Sequence, residues 1–141
     1  KFSLNSQILN NNDLIDSNMD IIIINSFGVL PKYFNYCKNI FIGKSFIKKK
    51  EDTAGQNPIE AAKLGCKIYH GPYVYNFKEI YERLKSYAIA EEINNELELA
   101  GKIIKSFANP IITNQQQLDS LNNYGEKILK ETATELNTYL K

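Results

Sequence analysis

Short apolar runs that alternate with amphipathic stretches constrain the fold of this chain more than any other feature. The runs are DIIIIN from Asp20, NIFIG from Asn39 and CKIYH from Cys66. Each is short, aliphatic and bounded by turn residues, which is typical of buried strands. Strands that alternate with helices through short loops pair in parallel, because each connection must return to the same end of the sheet. The alternation therefore predicts an α/β fold with a parallel sheet.

The same pattern predicts individual elements. Ile21 to Ile24, the longest aliphatic run, is expected to form a buried strand. In NPIEAAKLG, Asn57 suits a helix cap, Pro58 the first helical position and Gly65 the helix end. The other expected elements are a helix over 30–36, a helix that buries Phe77, Ile80, Tyr81 and Leu84, and a fourth strand over 86–90. Together they predict a Rossmann-like, doubly wound parallel sheet.

The two ends of the chain are expected to lie outside this sheet. Residues 1–20 are polar and predict one short strand, and the pattern becomes helical over about 92–141. One helical stripe is formed by Leu97, Ala100, Ile104 and Phe107. A second stripe runs from Leu118 to Tyr139, with a break expected at Asn122, Asn123 and Gly125. We expect residues 1–141 to form a single domain.

Composition limits the classes of function. A chain of 141 residues suits one domain, and 43% apolar with 23% charged residues is typical of a soluble globular protein. A formal net charge of +1 gives no general attraction to nucleic acid or anionic lipid. Cys37 and Cys66 lack metal or redox spacing, so we expect two free thiols. With Lys1 in place of an initiator Met and no signal peptide, we expect a fragment of a longer protein.

Ligands of open parallel sheets bind at the carboxyl ends of the strands, which here means the segments SFGVL, GKSF and GPYVYNF. The helix that begins at Pro58 offers free backbone N–H groups to a phosphate, and Gly55 allows a close backbone approach. Glu60 has two possible roles. Its carboxylate can fold back on the Asn57 N–H as a capping box, or it can accept hydrogen bonds from ribose hydroxyls. The local pattern favours the cap but leaves both roles open.

Other polar and aromatic residues near these segments have ordinary explanations. A lysine run, Lys44 with 48–50, could attract a phosphate, but beside Glu51 and Asp52 it is typical of a solvated loop. His70 has no Ser, Cys or acidic residue at a spacing typical of a catalytic site, which argues against a catalytic role. The aromatic residues of the third segment favour packing over base stacking; they are Tyr69, Tyr73, Tyr75 and Phe77. No paired carboxylates, zinc spacing, phosphate-binding loop or nucleophile elbow is present.

The order of the motifs resembles the carboxyl-terminal half of the 3-deoxy-D-manno-octulosonic acid (Kdo) transferases. The motifs are NSFGVL at 25–30, FIGKSF at 41–46, AGQNPIEAAKLGCKI at 54–68 and GPYVYNFKEI at 71–80. A glycine-rich strand end, then Asn-Pro-Ile-Glu, then Gly-Pro with an aromatic-rich Asn-Phe, is specific in combination. The likeness covers residues 25–80 directly, and the helical tail is consistent with it.

This resemblance implies the donor half of a two-domain, B-type glycosyltransferase. The family transfers Kdo from CMP-Kdo to the lipid A precursor of lipopolysaccharide, with inversion and without a metal or other cofactor in the transfer step. It works at the cytoplasmic face of the bacterial inner membrane. The catalytic glutamate, the acceptor site and the membrane anchor belong to the amino-terminal half, so the chain alone is expected to bind a CMP-sugar without turnover.

The resemblance also implies site residues. By motif, the CMP-lining residues are Phe27, Gly28, Val29, Asn57, Pro58, Ile59 and Glu60. Ser45 matches a serine near the donor, and Glu60 becomes a ribose ligand rather than a cap. The chain departs from the family at Val29, where glutamate is usual, at Lys44 and Ala54, where glycine is usual, and at Gln56, where histidine is usual. Lys44 is unfavourable if its turn requires a positive φ.

Two alternatives to a Kdo transferase stay open. The domain could belong to another B-type glycosyltransferase that uses a UDP-sugar. It could also be a non-catalytic binding module that has the fold without the activity. Competition between CMP and UDP would separate the first alternative from the Kdo transferase.

Overall fold

The computed structural model describes residues 3–10, 13–48, 55–109 and 114–140. Lys49, Lys50 and Ala54, which the sequence singled out, lie outside the described residues, as do the acidic residues 51–52. The chain packs as two compact units, Lys1–Tyr33 and Phe34–Lys141.

The first unit is built on two short strands. β1 (Ser6–Leu9) and β2 (Ile21–Ile24) pair in parallel, with Leu9 opposite Ile24. The expectation of a buried β2 is wrong, because Ile21 is 41% and Ile23 is 48% exposed, and Ile22 and Ile24 are only partly buried. Successive side chains of a strand point to opposite faces, so the sheet is apolar on both faces but covered more fully on one. Helix α1 (Leu30–Phe34) follows β2 and ends at the boundary of the unit.

The second unit holds a three-stranded parallel sheet. Its strands are β3 (Asn39–Ile42), β4 (Lys67–His70) and β5 (Ala90–Glu92), in the order β3-β4-β5. Helix α2 (Ile59–Lys63) connects β3 to β4, and a 3₁₀ turn with helix α3 (Lys78–Ser86) connects β4 to β5. Helices α4 (Glu96–Ala108) and α5 (Gln115–Tyr139) complete the unit. The parallel α/β fold is confirmed, although the described strands form two sheets.

One face of the three-stranded sheet carries the apolar core. β4 is buried along its whole length, as expected for a central parallel strand. Ile68, with no exposed surface, packs with the inner sides of the helices. The core cluster consists of Ile42, Ala61, Ala62, Cys66, Ile68, Val74, Tyr81, Leu84, Ile89, Ala90 and Leu121.

The opposite face of the same sheet is polar. Lys67, 8% exposed, lies 3.6 Å from the Glu91 carboxylate and donates to the Ala88 carbonyl oxygen. Lys102 of α4 also donates to Glu91. Burial alone would raise the pKa of Glu91, but these two lysines lower it. The Tyr69 hydroxyl is buried on this face without a hydrogen-bond partner among the described residues.

The fourth strand was predicted wrongly. Residues 86–90 were expected to be extended, yet Ser86 is the last residue of α3 and β5 begins at Ala90. Between them Ala88 has a φ of 57°, the left-handed conformation that terminates a helix. The Ile89 N–H donates to the Leu84 carbonyl oxygen and the Ala88 N–H to that of Lys85, which completes the cap.

The two carboxyl-terminal helices are confirmed, with one correction. α5 runs without interruption through Asn122, Asn123 and Gly125, where a break was expected. The first part of α5 is held by buried Leu121 and by Tyr124, whose ring lies 4.5 Å from the Arg83 guanidinium. The stripe on α4 is exposed, since Leu97, Ile104 and Phe107 are each more than 60% exposed. Within the described ranges, no helix combines the length and hydropathy of a membrane span.

Candidate functional site

The first candidate segment follows β2 in the first unit. Phe27 is fully exposed, and the adjacent Gly28 has a φ of 74°, a conformation that glycine adopts without strain. Val29 lines an open cavity of about 400 Å³ in this unit. The cavity is lined by Leu9, Asn10, Asp13, Ile15, Ile24, Ser26, Val29, Lys32 and Tyr33. An exposed ring beside a flexible glycine is a suitable surface for stacking on a base.

The second candidate segment is the start of α2. The Asn57 side chain accepts a hydrogen bond of 3.0 Å from the Ile59 N–H, but α2 begins at Ile59 with Pro58 in the capping position, one residue later than the sequence predicts. Glu60, the second helical residue, is exposed, and its carboxylate has no hydrogen-bond partner among the described residues. The capping box is therefore not formed, and the carboxylate is available to a ligand. α2 has only five residues, so its contribution to anion binding rests on backbone N–H groups rather than on a large dipole.

Ser45 links the turn after β3 to the turn after β4 through hydrogen bonds. It is fully buried, and its hydroxyl donates to the Ile42 carbonyl oxygen at 2.7 Å and accepts from the Gly71 N–H at 2.9 Å. Its own carbonyl oxygen accepts from the Tyr73 N–H at 3.0 Å. A Cβ at Gly71 would collide with the Ser45 carbonyl group. These contacts are structural, and a contact between Ser45 and a donor stays a prediction.

Two residues of positive φ shape the approach to α2. Lys44 has a φ of 60°, so the turn does require the conformation that makes lysine unfavourable there. Its carbonyl oxygen accepts from the Gly55 N–H at 3.2 Å. Gly55 has a φ of 90°, and a Cβ on it would lie 3.0 Å from the Val74 Cα. The close backbone approach predicted for Gly55 is thus made to the protein itself.

Beneath this approach lie the only histidine of the chain and a buried tyrosine. The His70 Nδ1 atom lies 2.7 Å from the Gly71 carbonyl oxygen, and its ring centroid is 4.3 Å from that of Tyr81. The Tyr81 hydroxyl donates to the Gln56 carbonyl oxygen at 2.9 Å. Sequence reasoning assigned Tyr81 only to the core, because nothing in the sequence signals a contact between residues so far apart.

The aromatic residues of the third segment divide between core and rim. Tyr69 is buried and Phe77 packs against the core, while Tyr75 is 39% exposed and lies in a tilted pair with Tyr73. Tyr75 also borders a cavity of about 230 Å³ at the carboxyl ends of β4 and β5. Charged side chains line this cavity in opposite pairs, such as Lys85 and Glu92, which lie 3.1 Å apart.

The structure brings together Ser45, Gly55 and the 57–60 segment at the carboxyl ends of β3 and β4 in the second unit. Phe27, Gly28 and Val29 occupy the corresponding end of β2 in the first unit. Within the described ranges, no group of three or more His, Cys, Asp or Glu side chains is placed to hold a metal ion. Cys66 is buried and burial raises its pKa, whereas Cys37 is exposed.

Parallel strands, short helical crossovers and ligand-sized openings at the carboxyl ends of the strands define a Rossmann-like α/β domain. A solved structure shares this fold: the C-terminal CMP-Kdo binding domain of WaaA from Acinetobacter baumannii. Its TM-score to this chain is 0.69, with 17% sequence identity over 85% of this chain and 60% of that one. The likeness confirms the fold class, and the neighbour's ligand is the donor that the sequence motifs imply. The chain spans 60% of that domain, and its sequence matches no family model and no curated protein.

Proposed function

We propose that this chain is the donor-binding domain of a glycosyltransferase that transfers Kdo from CMP-Kdo to the lipid A precursor in lipopolysaccharide biosynthesis. The observation that carries the proposal is the exposed carboxylate of Glu60 near the start of α2, which has no hydrogen-bond partner among the described residues, in a fold shared with a CMP-Kdo binding domain. The sequence resemblance assigns Glu60 to the ribose by motif. The failure of the capping-box alternative supports that assignment.

The proposed division of labour within the site follows from the chemistry of each group. Glu60 accepts hydrogen bonds from ribose hydroxyls, and backbone N–H groups at the start of α2 bind the phosphate. Phe27 offers its exposed ring to the base, and Gly28 and Val29 are assigned to the nucleotide by the same motif. Ser45 and Gly55 hold the turns on which these groups depend.

The transfer step itself is assigned to a different domain of the full-length enzyme. That domain would supply the catalytic base, the lipid acceptor and the membrane attachment, at the cytoplasmic face of the inner membrane. The reaction would invert the anomeric carbon and use no metal or other cofactor. This chain alone would therefore bind a CMP-sugar without turning it over.

Titration of CMP into the isotopically labelled chain tests the proposal. We expect amide shifts concentrated at residues 27–29 and 57–60, and weaker or absent shifts when UDP replaces CMP. Equal shifts with UDP would favour a UDP-sugar enzyme, and no shifts with either nucleotide would favour the non-catalytic binding module. Either result would overturn the proposed function.

A carboxylate variant tests the role of Glu60. Glu60→Gln keeps the shape but weakens a hydrogen bond to the ribose, so we expect about 10-fold weaker CMP binding, the effect of a hydrogen bond to a charged group. Glu79→Gln is the matched control, because Glu79 is also an exposed second residue of its helix, α3. Equal affinity of the Glu60→Gln variant and the unchanged chain would exclude Glu60 as a ligand.

A further inference from the structure

A single hydroxyl from the core fixes the segment that leads into α2. Tyr81 is 1% exposed, and its ring packs against His70 and belongs to the apolar cluster. Its oxygen nevertheless reaches the Gln56 carbonyl oxygen, the last backbone acceptor before Asn57. Gln56 itself is exposed, so the bond joins the apolar core of the unit to a surface loop.

The hydrogen bond from Tyr81 is the direct restraint on Gln56. On one side, the Gly55 N–H donates to the Lys44 carbonyl oxygen. On the other, the Asn57 side chain accepts its hydrogen bond from the Ile59 N–H, at the start of α2. Among the described residues, Tyr81 is the side chain of another element that donates a hydrogen bond to the loop backbone between Gly55 and Asn57.

We propose that Tyr81 is a positioning residue for nucleotide binding, which acts through Gln56 to hold Asn57 and Glu60 in their binding orientation. This inference rests on the proposed function, since it concerns the same nucleotide site. In this role the Tyr81 hydroxyl acts through Gln56 and not by contact with the nucleotide. It keeps the loop ordered before binding, so that the nucleotide does not have to order it.

A pair of buried tyrosines makes the test specific. Tyr81→Phe removes one oxygen atom and one hydrogen bond, and the aromatic ring remains in the core. Tyr69→Phe is the matched control, because Tyr69 lies on the opposite face of the sheet, is equally buried, and its hydroxyl has no partner among the described residues. Both variants keep the core volume, so both are expected to fold.

The expected result has two parts. Tyr81→Phe should weaken CMP binding roughly 3- to 10-fold, the effect of one neutral hydrogen bond. It should also speed hydrogen exchange of the Gly55 and Ile59 amides, which are hydrogen-bonded on either side of Gln56, without bound nucleotide, while exchange in β4 stays the same. Tyr69→Phe should change neither quantity.

The two measurements separate the inference from the proposed function. If the unchanged chain binds CMP and Tyr81→Phe binds it equally well, the positioning role is wrong. If the unchanged chain binds no CMP, the proposed function fails, and the exchange measurement decides the inference alone. Unchanged exchange at Gly55 and Ile59 in Tyr81→Phe would then overturn it. A uniform increase in exchange across the unit would also overturn it, since that indicates general stability rather than positioning.

Discussion

His70 is fully buried at the carboxyl end of β4, and its Nε2 atom has no hydrogen-bond partner among the described residues. Nδ1 is close enough to the Gly71 carbonyl oxygen to donate to it, so the neutral ring carries its proton on Nδ1. Burial lowers the pKa of His70, while the bond to Gly71 and the charge of Glu92 oppose that shift and Lys85 adds to it. The folded chain therefore favours the neutral ring.

We expect this histidine to make the free energy of unfolding depend on pH. Below about pH 6.5 the unfolded chain binds a proton that the folded chain resists, so stability present above pH 6.5 is lost as pH falls toward the lower folded pKa. The slope can reach about 1.4 kcal/mol per pH unit. Urea unfolding at pH 7.5, 6.5 and 5.5 measures it.

His70→Phe identifies the source of this slope. Phenylalanine keeps a ring against Tyr81 but cannot titrate, so the variant should have a flatter stability profile between pH 5.5 and 7. His70 is the only histidine, which leaves no other side chain with an ordinary pKa in that range. An unchanged slope in the variant would contradict the assignment.

At the scale of elements, α2 and α3 end in the same way, but only the end of α2 can be recognised in the sequence. α2 ends with Gly65 at a φ of 73°, with the Cys66 N–H bonded to the Ala61 carbonyl oxygen. α3 ends in the same way around Ala88. In each helix, the N–H of the left-handed residue and the N–H of the next residue donate to carbonyl oxygens of the last turn. A glycine predicts such a helix end because it adopts the left-handed conformation freely, whereas an alanine does not predict one. This is why α2 was predicted correctly and the segment 86–90 was misread as a strand.

The candidate site divides in a similar way. The hydrogen bond that the Asn57 side chain accepts at the start of α2 follows from a local rule, and Lys44 as an unfavourable residue followed from the family's glycine. The burial of Ser45 and the bond from Tyr81 to Gln56 were not predictable, because each depends on elements brought together by folding. Capping depends on neighbouring residues and can be predicted from them. The hydrogen bonds between loops join residues that are distant in the sequence and cannot.

Ala88→Gly should stabilise the protein. A left-handed alanine costs about 1–2 kcal/mol, and glycine removes that cost but adds about 0.5–1 kcal/mol of unfolded-state entropy. We therefore expect a net gain of roughly 0.5–1 kcal/mol and a rise in Tm of about 2–4 °C, measured by thermal unfolding. Ala100→Gly, at an exposed helical position of α4, is the control and should instead lower stability by about 1 kcal/mol. A loss of stability in both variants would show that residue 88 is not left-handed in solution.

At the scale of the whole molecule, the apolar core is distributed unevenly between the two units. Every residue of the core cluster lies in Phe34–Lys141. In the first unit, Leu9 is the one buried apolar side chain among the described residues. Two four-residue strands are marginal without further packing, so the second unit has the means to fold alone and the first does not.

Fragments test this asymmetry and with it the expectation that residues 1–141 form a single domain. A fragment of residues 30–141 keeps α1 and the complete three-stranded sheet, so it should unfold cooperatively in a circular dichroism melt. A fragment of residues 44–141 is the control: it lacks β3 and with it Ile42 of the core, and should lose that cooperative transition. If 30–141 also fails to unfold cooperatively while the full chain does so in one transition, the folding unit is the whole chain. A cooperative 30–141 fragment would instead place the independent folding unit in the part of the chain that contains Ser45, Gly55 and Asn57 to Glu60.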